Sequence, residues 1–310
     1  MHIRIINPTI TKEWESSTLQ AYRLVAHPQT HISVVSLDWG PASIESYHDH
    51  ALAVPDILAK VIQAERDGVD GVIIDCMGDP GLYAARELVR IPVVGPAEAS
   101  MHLAAMLGHR FSVLTVLESR RPMMEEQVAR YGLTAKLASV RAFNIPVLEL
   151  EKDPQKTLAT VIEVAVLAVQ QDGAHVIIPG CTGLSALLTS APSSSFESEK
   201  RDGAQGSPEG SPRGAARRSR TIARESCLAA PLASGQLDGA QAARSCLAGL
   251  AGQIQAGLAS HGCEVPVLDP PSVAIKTAET LVSLGLTHSP RTFARPATKP
   301  YHWPGLKIYE

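Results

Sequence analysis

Two cysteines sit at matching points of two look-alike segments. Cys76 follows Val72-Ile73-Ile74-Asp75 and precedes Met77-Gly78; Cys181 follows Val176-Ile177-Ile178-Pro179-Gly180 and precedes Thr182-Gly183. Each is a thiol at the carboxyl end of a short apolar run that reads as a buried strand, and each enters a glycine-containing turn. In open α/β sheets, ligands and reactive groups gather at these strand ends. The two sites lie about 105 residues apart, which suggests one reagent from each of two facing half-domains. Such a pair suits proton transfer at carbon. One group, as thiolate, removes a proton; the other, as thiol, returns one to the opposite face. That inverts a stereocentre beside a carbonyl without a cofactor. A buried structural cysteine is the bland alternative for either residue alone, and a redox disulfide lacks the CxxC spacing that would favour it.

The turns supply the rest of the candidate site. Asp79 reads as an N-cap and Pro80 as the first residue of a helix. Gly78 and Asp79 would then present backbone donors beside Cys76, an environment that lowers a thiol's pKa and holds an oxyanion. Thr182 and Gly183 do the same beside Cys181. Asn7, at the end of the first strand, is a candidate ligand contact, and Thr115 is its counterpart in the second half. Glu98 either lines the cleft or caps the helix that begins near it. Tyr47, His48, Asp49 and His50 resemble a metal cluster only superficially and read as a solvated loop. No metal site is expected.

The elements that must position these residues alternate. Strands are predicted at His2–Asn7, Ile32–Leu37, Gly71–Asp75, Ile91–Gly95, Phe111–Val116, Leu137–Ala142 and His175–Pro179. Helices are predicted over 12–26, 52–67, 80–89, 97–108, 119–131 and 155–172, the last apolar on most of its circumference and expected to be largely buried. The alternation implies parallel sheets with helical cover. A duplication is also legible. Ile91-Pro92-Val93-Val94-Gly95-Pro96 recurs as Val265-Pro266-Val267-Leu268-Asp269-Pro270. The expected fold is therefore α/β, with two pseudo-symmetric Rossmann-like halves and a cleft between them. Residues 1–97 with about 271–310 form the first half, and 98–188 with about 247–270 the second.

About 15 residues separate Cys76 from its Ile-Pro-Val strand, but about 84 separate Cys181 from Val265. The excess is a low-complexity insert over 189–246, rich in Gly, Pro, Ser and Arg and expected to be disordered. Its Arg213, Arg217, Arg218 and Arg220 could form a basic patch, though a solvated linker or a gene-model artefact explains them better. Cys227, Cys246 and Cys263 receive no role.

The net charge of −3 gives no sign of a nucleic-acid or anionic-membrane partner. The apolar runs are too short to span a bilayer, and Met1–Ile6 lacks a signal-peptide layout. Five cysteines, an odd number with no CxxC pair, argue against a disulfide framework. A cytoplasmic protein with a small-molecule substrate is the expectation.

Taken as a set, several segments resemble the aspartate/glutamate racemase superfamily and, within it, the hydantoin racemase-like branch. They are Ile6-Asn7-Pro8, Gly40-Pro41-Ala42-Ser43-Ile44-Glu45-Ser46, Asp75 to Leu82, Pro92 to Met101, Phe111 to Thr115 and Pro179 to Ser185. The resemblance implies cofactor-independent racemisation, with Cys76 and Cys181 as the acid/base pair, and a homo-oligomer. It also places Ser43 in the family's substrate loop. The usual Asn-Pro-Asn-Ser/Thr opening appears here as Asn7-Pro8-Thr9-Ile10, which alters one polar contact. A 5-substituted hydantoin is the expected substrate: its ring C–H is far more acidic than that of an amino-acid zwitterion, and a neutral ring needs no cationic clamp. No arginine or lysine lies in the motif turns. Allantoin, an amino acid, maleate isomerisation and a non-catalytic ligand-binding role are the alternatives.

Overall fold

Runs of isoleucine and valine, stiff at χ1 and suited to a pleated surface, build two parallel sheets. In the computed structural model, residues 1–188, 249–297 and 299 are described. Strands β1 (His2–Asn7), β2 (His31–Ser36), β3 (Gly71–Ile74) and β4 (Val93–Val94) form one sheet in the order β2-β1-β3-β4. Strands β5 (Phe111–Thr115), β6 (Leu137–Ala142) and β7 (Val176–Pro179) form the other, in the order β6-β5-β7. The insert over 189–246, including Cys227, Cys246 and its arginines, lies outside the described residues.

The two sheets share one register. Ile6 pairs with Ile74 across β1 and β3, as Leu114 pairs with Pro179 across β5 and β7. Val72 pairs with Val93, and the equivalent Ile177 bridges to Val267. Cys76 and Cys181 therefore stand two residues beyond equivalent rungs, and Asn7 and Thr115 one residue beyond theirs.

Helices cover both faces of each sheet, as parallel sheets require. They are α1 (Trp14–Arg23), α2 (Tyr47–Arg66), α3 (Leu82–Leu88), α4 (Pro96–Leu107), α5 (Arg121–Arg130), α6 (Pro154–Gln170), α7 (Leu250–Ser260) and α8 (Pro270–Ser283). Ile6, Val72 and Ile74 pack on α2 and α3 through Ile57, Val61 and Leu82. The opposite face, Ile3, Ile5 and Ile73, packs on Tyr22 of α1 and on Ala274, Ile275 and Ala278 of α8. In the second sheet Val113, Val176 and Ile178 meet Met101 of α4 and Met124 of α5, while Leu114 and Ile177 meet Val161 of α6 and Ile254 of α7. Each fully buried isoleucine or leucine of this kind contributes roughly 1.5–3 kcal/mol. Helix α4 leaves the first sheet yet packs on the second, and α8 does the reverse, so each half closes the other's core.

Three expectations are corrected. Residues 47–50 are not a loop: they form the first turn of α2, because the Ser46 side chain accepts the Asp49 amide at 3.1 Å and fixes the helix start there. The helix expected from residue 80 begins at Leu82, after Gly81 in a left-handed turn (φ 69°). Helix α6 buries only one stripe, Val161, Ala165 and Ala168, and leaves Leu167 at 37% exposure, because the sheet and α7 cover only part of it. Among the described residues no helix is long and apolar enough to cross a membrane.

A tight backbone approach lies beside Cys181. The Gly180 amide donates to the Leu114 carbonyl at 2.7 Å, and a β-carbon at Gly180 would stand 2.6 Å from that oxygen. Gly180→Ala should therefore cost about 1–3 kcal/mol, read as a lowered midpoint in urea with an unchanged slope. An unaltered midpoint would contradict this packing.

Candidate active site

The strand ends open onto one cavity of about 90 Å³. Cys76 reaches it from the first sheet and Cys181 from the second. Both are free thiols, half-buried. Asn7, Gly78, Thr182 and Gly183 also line it. Apolar walls come from Trp14, Ile44, Val116, Val147 and Leu150.

Polar contacts set the local geometry. The Gly78 amide donates to Cys76 Sγ at 3.3 Å. Thr182 Oγ1 donates to the Asp75 carbonyl at 3.1 Å, tying the second cysteine's turn to the first cysteine's strand. Asp75 also accepts from the Tyr22 hydroxyl at 2.8 Å, and burial lifts its carboxyl to about 6. Asn7 Nδ2 donates to Thr18 Oγ1 at 3.3 Å, but Asn7 Oδ1 and Thr9 Oγ1 are buried without a partner among the described residues. Buried unpaired polar atoms are costly, and both of these lie on residues at the cavity wall. Thr9 is the residue by which this chain departs from the family's Asn-Pro-Asn opening, and its hydroxyl stands at the altered polar contact.

Not every expected residue reaches the cavity. Thr115 is buried within β5, and its neighbour Val116 lines the space instead. Ser43 is half-buried in its loop, and the adjacent Ile44 makes the wall. Glu98 neither lines the cleft nor caps a helix; it pairs with Arg86. Asp79 does not cap the helix after it. Its backbone takes a left-handed turn (φ 44°), and its carboxylate crosses to the start of α4, accepting the Ala97 and Glu98 amides at 3.1 and 2.9 Å. It accepts the Tyr131 hydroxyl at 2.5 Å as well. Burial outweighs these donors and lifts Asp79 to about 6. Gly95 makes the crossing possible, since a β-carbon there would sit 2.4 Å from the carboxylate carbon.

The electrostatics also differ from expectation. Burial pushes the Cys76 thiol up to about 11, against the lowering effects of the Arg120 charge and the Gly78 amide. Burial and the neighbouring Cys76 push Cys181 to about 12, against the Gly183 and Leu184 amides. The turn donors are in place, but desolvation wins. Arg120, absent from the sequence reading, lines the cavity as its one cation among the described residues. It lies in a short 3₁₀ turn, Glu118–Arg120, outside every motif turn. Among the described residues no cluster of His, Cys, Asp or Glu is arranged to hold a metal ion.

A sequence profile described as Asp/Glu/Hydantoin racemase matches residues 3–197. The chain belongs to this family. It is 41% identical over 187 residues to a hydantoin racemase of Rhizobium meliloti, an overlap covering 60% of this chain and 78% of that protein. A hydantoin racemase of a Pseudomonas species (strain NS671) is 40% identical over 190 residues, 61% of this chain and 76% of that one. Among solved structures, the allantoin racemase from Klebsiella pneumoniae superposes with a TM-score of 0.73 at 29% identity, covering 99% of this chain and 98% of its own. The chain is thus an isomerase of the racemase family, with two thiols in one cavity.

Asp79 serves this racemase scaffold as a clamp. Asp79→Ala should cost about 2–4 kcal/mol in denaturant unfolding, from a lost cap on α4 and the lost acceptor of the half-buried Tyr131 hydroxyl, which would keep only its bond from Gln127. A loss below about 0.5 kcal/mol, the range of ordinary surface changes, would show that the α4 contact carries no weight.

Proposed function

We propose that this racemase interconverts the enantiomers of 5-substituted hydantoins by a cofactor-independent two-base mechanism, with Cys76 and Cys181 as the acid/base pair. The observation that carries the proposal is the arrival of two free thiols in one cavity from equivalent points of two sheets. One cysteine, as thiolate, takes the ring C5 proton, and the electron pair moves onto the adjacent carbonyl as an enolate. The other, as thiol, delivers its proton to the opposite face of C5, and the enolate collapses to the carbonyl. The roles reverse for the opposite enantiomer, so both directions use the same two groups.

The surroundings fit a ring with an apolar substituent. Asn7 Oδ1 and Thr9 Oγ1 offer acceptors to ring N–H groups, while Trp14, Ile44, Val147 and Leu150 offer an apolar wall to the 5-substituent. That wall favours an aryl or branched alkyl group over the ureido group of allantoin, which would lose hydrogen bonds to water there. The family resemblance supports a homo-oligomer, and the odd cysteine count without a CxxC pair supports a reducing, cytoplasmic location.

Wild-type protein in D₂O should abolish the optical rotation of one enantiomer of 5-benzylhydantoin while deuterium enters C5, and should act more slowly on allantoin. No racemisation above background on either compound, with folded reduced protein, would overturn the proposal. Cys76→Ser and Cys181→Ser should each slow racemisation by about 10³-fold; a variant that racemises normally would remove that cysteine from the mechanism.

Burial raises both thiols, so near neutrality the dithiol dominates and the working monothiolate is scarce. Its fraction grows tenfold per pH unit until the pH nears the lower of the two values, about 11. For a neutral hydantoin, kcat/KM should therefore climb from pH 7 to 9. A flat profile over that range would mean that a thiolate is already present at neutral pH.

A further inference from the structure

The cavity wall holds a charge that the proton-transfer scheme does not itself use. Arg120 is only 4% exposed, yet no carboxylate of the described residues pairs with it. Among the described residues its side chain makes one close polar contact, Nη1 to Met123 Sδ at 2.9 Å, and a thioether is a weak acceptor. A buried, unpaired guanidinium is expensive, so Arg120 favours any anion that forms beside it. Its setting points to which one. A β-carbon placed on Gly78 would stand 3.2 Å from Arg120 Nη2 and 3.5 Å from Cys76 Sγ, so the guanidinium and the thiol flank the same small gap.

We propose that Arg120 is a positioning residue for the reaction, acting through Cys76 as the counter-charge of its thiolate. The proposal rests on the two-thiol reading above and deepens it by giving the two thiols unequal support. The groups facing Cys76 are few. Asp75 and Asp79 oppose its ionisation, and the Gly78 amide and Arg120 favour it. His50 Nε2 donates to the Gly78 carbonyl at 3.1 Å, and burial lowers its own basicity, so it brings no competing positive charge near neutrality. Cys181 has backbone amides and no cation among its principal influences. Arg120 therefore makes Cys76 the thiol that ionises first. The proton it releases goes to solvent, and the resulting thiolate takes the C5 proton of the enantiomer that faces it.

Alkylation by iodoacetamide, read separately on the Cys76 and Cys181 peptides by mass spectrometry, tests this without requiring turnover. In wild type at pH 8.5, Cys76 should react faster than Cys181. Arg120→Met should slow Cys76 at least tenfold and leave Cys181 within about twofold. Arg120→Lys, which keeps the charge, should hold Cys76 within about threefold of wild type. Equal slowing of both peptides, or no slowing of Cys76, would overturn the proposal. If Arg120→Met does not fold, Arg120→Lys decides alone: a tenfold loss at Cys76 in a folded Lys variant counts against a charge effect. Failure of the wild type to racemise any hydantoin would remove the catalytic reading and leave the alkylation result standing, so the two failures are distinguishable.

Discussion

The Asp75 amide donates to the Ile6 carbonyl at 2.9 Å, and the Gly180 amide donates to the Leu114 carbonyl at 2.7 Å. These equivalent bonds lock each strand one residue before its cysteine, and everything at the site depends on them. They end the ladders at the same rung, so the chain must leave each sheet at the cysteine and turn over its edge. The exchange of α4 and α8 between the sheets then holds the halves together, and the Thr182–Asp75 bond links the two cysteine turns directly. Gly180 shows how little tolerance there is, because any side chain there would collide with the carbonyl that anchors it.

Within that frame the balance of solvation and charge decides the chemistry. Both turns aim amides at sulfur, which in water-exposed settings would favour thiolates. Here loss of water outweighs those dipoles, and both thiols stay protonated near neutrality. A protonated thiol is what the donor of a two-base racemase must be. The base needs the opposite, and among the described residues Arg120 is the one cation at the cavity to supply it. The dry site raises the cost of making a thiolate, and it also strengthens the attraction of Arg120 for that thiolate once formed.

Much of this was legible in the chain. Runs such as Val72-Ile73-Ile74 and Val176-Ile177-Ile178 declare buried parallel strands, and the repeat of Ile91-Pro92-Val93 as Val265-Pro266-Val267 predicts the equivalence that the registers display. Cys76 and Cys181 could be singled out because strand ends are local features. The long-range partners were not legible. Asp79 looks like the cap of the next helix, and only the fold brings the α4 amides and Tyr131 to it. Arg120 sits in an unremarkable Glu-Ser-Arg turn, and it becomes part of the site only because the second half lays that turn against Gly78. Ser46 with Asp49 three residues on is a readable helix start, masked by the histidines between and beyond them, which make the segment resemble a loop with metal ligands.

The central claim is that the two thiols serve opposite faces of one carbon. It is tested most directly by proton exchange in single-cysteine variants, following the C5–H signal of each pure enantiomer of 5-benzylhydantoin by NMR in D₂O. Cys76→Ser should exchange one enantiomer only, through Cys181, and Cys181→Ser should exchange only the other, through Cys76. If both variants exchange the same enantiomer, or either exchanges both equally, the thiols do not divide the two faces and the two-base account is wrong.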